Sequence, residues 1–200
     1  MILAFDTSSA ACTAALFDDS GECIASRDEL IGRGHAERLV PMIAELMDGR
    51  SAGRIIVGVG PGSFTGIRVA IAAAHGLAIG WDAELKGMSS LALLAAGAEG
   101  EVAAAVIGGH GELFVQQFDP AAQPTSELQN LSPGAAAEVT TASLVVGSGA
   151  QQLVEARGSG EAREAWPSAA RALSLPENLR NLLAKPVYAR APDAKAREAA

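Results

Sequence analysis

The chain has 200 residues, of which 49% are hydrophobic and 19% are charged, a balance typical of a globular protein with a buried core. This length leaves room for one large domain or two small ones and excludes a disordered tail or a stapled mini-protein. The formal net charge of -8 excludes a broad cationic surface that would hold a nucleic-acid backbone.

The pattern of the first half of the chain predicts strands followed by alternating helices and strands. Apolar runs bounded by turn residues predict an antiparallel meander over residues 2–6, 12–17 and 22–30. Apolar residues then recur at three- and four-residue spacing and predict an amphipathic helix over 35–47 that Gly49 ends. Strands and helices alternate in the next segments, at 54–59, 67–79, 84–88 and 89–98. This order predicts a mixed sheet with helices packed against it.

The pattern restarts after residue 100. Strands are predicted at 102–107, 112–118, near 126–131 and at 144–149, where the last one leads into a helix. The polar segment 157–167 is predicted to be a surface loop or a frayed helix. We therefore predict an α/β chain with two domains, residues 1–100 and 101–200. The second domain is predicted to be reduced, because few helices are predicted in it.

The start of the sequence and its apolar runs predict the location of the protein, and its cysteines predict the redox state. Met1 leads directly into a strand-like run without a basic leader, which predicts a cytoplasmic protein. The apolar run 69–81 contains His75 and two glycines, and we expect it to be too short and too weakly apolar to span a membrane. Cys12 and Cys23 have no CxxC spacing and are predicted to be reduced and structural.

Asp6, Thr7 and Ser8 at the end of the first strand are a candidate phosphate site. A carboxylate at such a turn can hold a hydrated metal ion, while hydroxyl and backbone N–H groups receive phosphate. An Asx or Ser/Thr turn that closes the first hairpin explains the same residues. The sequence leaves both interpretations open.

The most informative segment is a glycine-rich loop between the predicted strand 54–59 and the helix that follows. It consists of Gly60, Pro61, Gly62, Ser63, Phe64, Thr65 and Gly66. Its glycines allow positive φ and close backbone approach, and a hydroxyl side chain can cap the helix. A helix N-terminus with Arg68 in its first turn attracts an anion, whereas a tight connection with a solvated Arg68 is the alternative. The loop matches neither the P-loop nor the dinucleotide fingerprint.

Small residues recur every fourth position of the helix after this loop. Ala72, Gly76 and Gly80 share one face, and a glycine in a helix costs about 1 kcal/mol relative to alanine. Close approach of a second helix would compensate that cost. The sequence does not decide whether this helix belongs to the same chain or to a partner.

The sequence contains no recognisable autonomous catalytic centre. The three histidines, His35, His75 and His110, are isolated from one another, and no HExxH motif, zinc-type cluster or GxSxG elbow occurs. We therefore expect neither a metal ion nor catalytic residues in this chain.

Four segments together resemble the TsaB (YeaZ) family. They are residues 2–8, 33–41, 58–68 and 87–91, which read ILAFDTS, RGHAERLVP, GVGPGSFTGIR and GMSSL. The resemblance is dense over residues 1–95 and thins to scattered points beyond residue 100, including the C-terminal PVYAR at 186–190 with Pro192. It implies two tandem actin-like (ribonuclease-H-like, ASKHA) domains.

The resemblance also implies a function. The family is an accessory subunit of the machinery that makes threonylcarbamoyladenosine at position 37 of tRNA, and it binds the catalytic relative TsaD, with a TsaE-type ATPase as a third partner. Pairing through the helices of the first domain would involve His35, Leu39, Met42, Ile43, Arg68, Ala72, Gly76 and Gly80. Self-association into a homodimer is expected when the partner is absent. No intrinsic cofactor is expected, ATP or ADP at a shared interface is the alternative, and tRNA contact would be indirect.

A non-catalytic role follows from the comparison with TsaD. The relative carries an Asn-His-Leu-Glu-Gly-His metal motif, and Ser90 and Leu94 stand where it has its two histidines. Leucine cannot bind a metal ion, and serine is a poor substitute for imidazole. The alternatives are an actin-like ATPase or phosphotransferase that uses Asp6 and a phosphate loop at 147–149, or a glycoprotease-like peptidase.

Overall fold

Two five-stranded mixed sheets organise residues 1–189, the part of the chain that the computed structural model describes. The strands are β1 (Ile2–Asp6), β2 (Ala11–Phe17), β3 (Cys23–Leu30), β4 (Arg54–Gly58), β5 (Glu84–Met88), β6 (Val102–Ile107), β7 (Leu113–Phe118), β8 (Gln129–Leu131), β9 (Leu144–Val146) and β10 (Glu161–Arg163). The helices are α1 (His35–Met47), α2 (Phe64–Trp81), α3 (Ser90–Ala95), α4 (Pro133–Val139), α5 (Ala150–Arg157) and α6 (Glu177–Arg180). Arg190 and Pro192 of the C-terminal motif lie outside the described residues.

The first sheet has the strand order β3-β2-β1-β4-β5. β1 pairs antiparallel with β2, which pairs antiparallel with β3, and this confirms the predicted meander. β4 joins β1 in parallel, and β5 joins β4 in parallel. Because both parallel connections run through helices, α1 and α2 cover one face of this sheet.

The second sheet repeats this arrangement with the order β10-β9-β6-β7-β8. β6, β7 and β8 form the antiparallel meander, while β9 pairs in parallel with β6 and β10 with β9. The α/β class is therefore confirmed, with a mixed sheet in each half. The division of the chain at residue 100 stays a prediction.

Several elements differ from the sequence-based prediction. Residues 161–163 form a strand, so the prediction of a surface loop or frayed helix for 157–167 is wrong at these three residues, whereas 158–160 and 164–167 lie outside any helix or strand. The backbone of β10 is held by hydrogen bonds from Glu161 N to Ser143 O and from Gly147 N to Arg163 O. α2 begins at Phe64 rather than at residue 67, because Ser63 caps it. α4 and α6 are short helices that the sequence pattern did not predict.

Alternation along the strands separates the two layers of the core. Leu3 and Phe5 of β1 pack with α1 and α2 on one face, whereas Ala4 packs on the opposite face. That opposite face contributes to a core that includes α3 and residues of the second sheet such as Val102 and Phe114. α3 is buried at every position and lies within this shared core.

The segment after β10 returns to the first sheet. A 3₁₀ turn, Ala169–Ser174, packs against β1 and β2, and Ala169 N donates to Thr13 Oγ1 at 2.8 Å. Leu182 and Gly87 exchange backbone hydrogen bonds at the outer edge of β5, and Val187 N donates to Val59 O at 2.8 Å. Residues that we predicted within the second domain therefore contact the first sheet.

By length and composition alone, α2 could cross a membrane, since its 18 residues have a mean hydropathy of 1.3. The run 69–81 is part of this longer helix, which starts five residues before it. One such helix is weak evidence for a membrane span, and α2 packs residues such as Ile67 and Ala70 into the core.

The cysteines occupy different environments, and both are free. Cys12 is buried 3.9 Å from Met42 Sδ, and burial raises the pKa of its thiol to about 11. Cys23 is exposed on the edge strand β3.

Candidate functional site

The glycine-rich loop is fastened to the end of β1. Ser63 Oγ accepts a hydrogen bond from Gly66 N at 3.2 Å, which caps α2, and Ser63 N donates to Ser8 O at 2.6 Å. A Cβ atom at Gly62 would lie 2.1 Å from Ser8 O, and one at Gly66 would lie 1.9 Å from Thr7 O. These distances leave no space for any side chain, so the glycines permit the loop to contact the backbone after β1 directly.

The remaining loop residues divide between the interior and the surface. Gly60 has a φ of 98°, its peptide bond to Pro61 is cis, and its N–H donates to Ser90 Oγ at 3.1 Å. Phe64 is 54% exposed, and Thr65 is also exposed. The inner part of the loop is therefore structural, while Phe64 and Thr65, at the start of α2, reach the surface.

Asp6 lies at the centre of this junction and is fully buried, as is Thr7. Asp6 Oδ1 accepts hydrogen bonds from Ser8 N at 2.6 Å and from Ser8 Oγ at 2.7 Å, and Oδ2 accepts one from Ser90 Oγ. Thr7 Oγ1 donates to Gly66 O at 2.7 Å. Both carboxylate oxygens are thus engaged inside the chain, which favours the Asx turn over a phosphate site at Asp6, Thr7 and Ser8.

Ser90 and Leu94 have structural environments. Ser90 is buried and links Asp6 to the backbone of Gly60, while Leu94 is buried in the core between the two sheets. In the described part of the chain, no three His, Cys, Asp or Glu side chains are grouped closely enough to hold a metal ion.

The predicted interface residues of α1 are mostly in the core. Leu39, Met42 and Ile43 are at most 2% exposed and pack beneath the first sheet, so their assignment to a partner interface is wrong. The physical reason is that the apolar stripe of an amphipathic helix covers its own sheet. His35 is partly buried at the start of α1, and within residues 1–189 its Nε2 atom has no hydrogen-bond partner.

The small-residue stripe of α2 faces solvent. Ala72, Gly76 and Gly80 are exposed, and no described residue lies within 4 Å of a Cβ atom built at either glycine. Ile79, on the same side, is 83% exposed. Within residues 1–189 no helix packs on the stripe, so a helix from this part of the chain does not compensate the cost of its glycines.

The exposed side of α1 is also poor in charge near its middle. We define the α1–α2 face by nine of the exposed residues of these neighbouring helices, Ala36, Val40, Pro41 and Ala44 of α1 and Ala72, His75, Gly76, Ile79 and Gly80 of α2. Val40 is 53% exposed. Exposed apolar residues grouped on neighbouring helices are typical of an interaction site.

Arg68 is held at the N-terminal end of this face. Its guanidinium carbon lies 3.6 Å from the centroid of the Phe64 ring, and its Nε atom donates to Tyr188 Oη at 3.1 Å. The two rings are 5.5 Å apart. We call Phe64, Arg68 and Tyr188 the Arg68 cluster. Tyr188 is the single tyrosine of the chain and lies in the C-terminal motif, but it was not predicted as a site residue.

A cleft of about 1260 Å³ lies beside the Arg68 cluster, between the ends of the two sheets. Its walls include Ser8, the glycine-rich loop and the start of α1 from the first half, and residues 106–110 and Ser148 from the second. Trp166 and Tyr188 contribute from the returning segment. The predicted phosphate loop at 147–149 is used internally, since Gly149 N donates to Ala105 O and Ser148 Oγ accepts from Ile107 N.

Comparison with known protein families gives a match over most of the chain. A family model described as "TsaD: tRNA N6-adenosine threonylcarbamoyltransferase" matches residues 23–156. The tRNA threonylcarbamoyladenosine biosynthesis protein TsaB of Escherichia coli (strain K12) is 39% identical over 102 residues, which are 48% of this chain and 43% of that protein. TsaB of Haemophilus influenzae is 38% identical over 99 residues, 47% of this chain and 41% of that protein. The matched segment spans less than half the length of these curated relatives.

Solved structures match over nearly the whole chain. The crystal structure of a protein from Pseudomonas aeruginosa with similarity to peptidase YEAZ has a TM-score of 0.81 and 30% identity, and the match covers 94% of this chain and 99% of that one. YeaZ from Pseudomonas aeruginosa has a TM-score of 0.79 at 29% identity, over 94% and 98% of the two chains. The ethanolamine utilization protein EutJ from Carboxydothermus hydrogenoformans, at 13% identity and a TM-score of 0.50, shares only the fold.

Proposed function

The chain belongs to the TsaB (YeaZ) family, and from this premise we propose that it is a non-catalytic accessory subunit in the biosynthesis of threonylcarbamoyladenosine in tRNA. In this proposal it binds and activates a TsaD-type threonylcarbamoyltransferase through the α1–α2 face. The observation that carries the proposal is the exposed small-residue stripe of α2 at Ala72, Gly76 and Gly80.

The stripe supports close helix pairing for two reasons. Glycines without neighbours allow another backbone to approach α2 more closely than larger side chains would permit. The cost of about 1 kcal/mol for a glycine in a helix has no compensation within residues 1–189, and burial against a partner would provide it. His35 and Arg68 flank the stripe at the starts of the two helices, and they remain in the proposed interface.

A non-catalytic role is supported by the junction around Asp6. An autonomous phosphotransferase would need this carboxylate at an open site, but Asp6 is buried and both of its oxygens accept hydrogen bonds from the chain. We propose that the chain has no intrinsic cofactor and that ATP or ADP binds at an interface shared with its partner. We also propose that the second domain is a reduced version of the first, since three of its strands have only three residues each.

We propose a cytoplasmic protein that forms a homodimer through the same face when TsaD is absent, with a TsaE-type ATPase as a third partner. The net charge of -8 supports indirect contact with tRNA, because a phosphate backbone needs a basic surface and a partner would have to supply it.

The proposed face is tested by the Gly76→Leu substitution. The larger side chain should block close pairing and weaken both dimerisation and capture of the TsaD-type subunit, while circular dichroism and thermal unfolding show a folded monomer. Gly134→Leu is the matched control, because Gly134 is also exposed in a helix with no described atom within 4 Å of its Cβ position. Unchanged complex formation by a folded Gly76→Leu variant would contradict the proposed face.

The proposed role is tested by reconstituting tRNA modification with purified components. Product should be lost when this chain is omitted, and the chain alone should make none. Turnover of ATP or substrate by the isolated chain would contradict the accessory role.

A further inference from the structure

The Arg68 cluster combines three observations that the α1–α2 face alone does not explain. Arg68 is the single Lys, Arg, Asp or Glu residue within α2, Phe64–Trp81. It lies four residues before Ala72 and therefore continues the stripe of Gly76 and Gly80 toward the start of the helix. A cation thus stands at the end of an apolar face.

The guanidinium is already oriented. One of its faces lies against the Phe64 ring, and its Nε atom donates to Tyr188 Oη. These contacts leave the two terminal nitrogens as the unused donors of the side chain among the described residues. Because the side chain is held by an aromatic stack, less rotamer entropy is lost when a ligand binds these nitrogens.

No described carboxylate pairs with Arg68. Within residues 1–189 the ion pairs of arginine side chains involve Arg38, Arg54, Arg163 and Arg180, and none involves Arg68. Exposure to water satisfies the guanidinium in the free chain. A partner that covered the stripe would remove this water, and an unpaired guanidinium in an interface is costly.

We propose that the partner subunit places an Asp or Glu carboxylate end-on against the two terminal nitrogens of Arg68, at the edge of an otherwise apolar helix pair. The inference rests on the proposed function and specifies the chemistry of its partner. The carboxylate accepts two parallel hydrogen bonds, which is the geometry that a planar guanidinium fork offers best. It also selects against partners that have an apolar surface without an acceptor at this position.

A protein carboxylate fits this position better than a nucleic-acid phosphate. The stripe that Arg68 continues has the small residues of a helix-packing surface, and a helix lying on Gly76 would reach Arg68 as well. Along a phosphate backbone several cations are needed, whereas α2 supplies one and the whole chain carries 15 Lys and Arg against 23 Asp and Glu.

The test measures the dissociation constant of the complex with the TsaD-type subunit at low and high salt, using the full chain. Arg68→Met should weaken binding by about 30-fold or more, and Arg68→Lys should weaken it by about 5- to 10-fold, because lysine keeps the charge but loses the fork. Tyr188→Phe should have a smaller effect of about threefold, since it removes the acceptor that orients Nε. The control is Arg27→Met, which removes an exposed arginine of β3 that, among residues 1–189, hydrogen-bonds to the Ser26 carbonyl alone.

The partner's residue is identified by charge exchange. Arg68→Glu should abolish the complex, and substitution of one acidic residue on the partner's docking helices by arginine should restore it. A double-mutant cycle between that residue and Arg68 should then show coupling.

The outcomes separate this inference from the proposed function. If Arg68→Met binds like the wild type while Gly76→Leu does not, the carboxylate contact is overturned and the α1–α2 face stands. If the wild type forms no complex at all, the proposed function itself fails. If Arg68→Met leaves the protein complex intact but reduces tRNA retention by it, the guanidinium faces a phosphate and the inference is overturned.

Discussion

The glycines that lead into the start of α2 and the glycines on its exposed face have opposite surroundings. At Gly58, Gly62 and Gly66 an added Cβ atom would lie 1.8 to 2.1 Å from atoms of Asp6, Ser8 or Thr7. At Gly76 and Gly80 no described atom lies within 4 Å. The first group is required by contacts inside this chain, whereas no residue of 1–189 packs against the second group.

This difference shows how a glycine-rich sequence should be interpreted. In the junction around Asp6, glycine allows the backbone of one strand end to touch that of a loop, and the result is a rigid, buried connection. On the α1–α2 face the same residue type is unexplained by the folded monomer. Single substitutions in the two regions should therefore change the stability of the protein in different ways.

The largest effect is expected for Gly58→Ala. The new methyl group would overlap Asp6 Oδ2, and a shift of that carboxylate would break its bonds to Ser8 and Ser90. We expect a loss of about 3 kcal/mol or more in the free energy of unfolding, measured by urea denaturation. Gly53→Ala is the control, because no described atom lies within 4 Å of that position. Equal stability of the two variants would contradict the account of the junction.

Asp6→Ala should have the next largest effect. It leaves Ser8 N, Ser8 Oγ and Ser90 Oγ without their acceptor in the interior, and unsatisfied buried donors cost about 1 to 3 kcal/mol each when no other group or water replaces the acceptor. Since the small cavity can admit water, we expect a total loss of about 2 to 3 kcal/mol in urea denaturation. Glu22→Ala, at an exposed turn, should change little. A stable Asp6→Ala variant would indicate that the carboxylate is kept for binding rather than for the fold.

Part of this organisation can be predicted from the sequence. The helix 35–47 is predicted to the residue, because its apolar period and the glycine that follows both mark its ends. The meander of the first sheet is likewise predicted from three apolar runs. Such features depend on neighbours in the sequence, and local patterns report them well.

The rest depends on contacts between distant residues. The period of α1 shows that Leu39, Met42 and Ile43 share a face, but only the fold shows that this face covers the sheet rather than a partner. β10 has three residues, of which two are charged, so its strand character comes from pairing with β9. The contact between Arg68 and Tyr188 joins residues 120 positions apart, and no local pattern encodes it.

A smaller effect with the opposite sign is expected on the exposed face. Gly76→Ala should raise the free energy of unfolding of the monomer by about 1 kcal/mol, because alanine is the better helix former and the methyl group meets no neighbour. Thermal and urea unfolding at protein concentrations below that of dimerisation measure it. A loss of stability would mean that the stripe is packed within the chain after all. With Gly58→Ala, this substitution gives the same chemical change in the two regions with opposite results.

The smallest effect concerns exposed carboxylates, which can be compared with the buried Asp6. Arg38 forms ion pairs with Glu29 at 2.6 Å and with Glu45 at 2.8 Å, and its hydrogen bonds hold the pKa of both carboxyl groups below the usual glutamate value of 4.5. A pKa lowered by folding stabilises the native state at neutral pH, and this contribution is lost as the pH falls through the lowered values. Arg38→Gln should therefore reduce the melting temperature slightly at pH 7, and the difference from the wild type should shrink as the pH falls below about 4.5. A difference between Arg38→Gln and the wild type that stayed constant from pH 7 to pH 3 would show that Arg38 acts by packing rather than by charge.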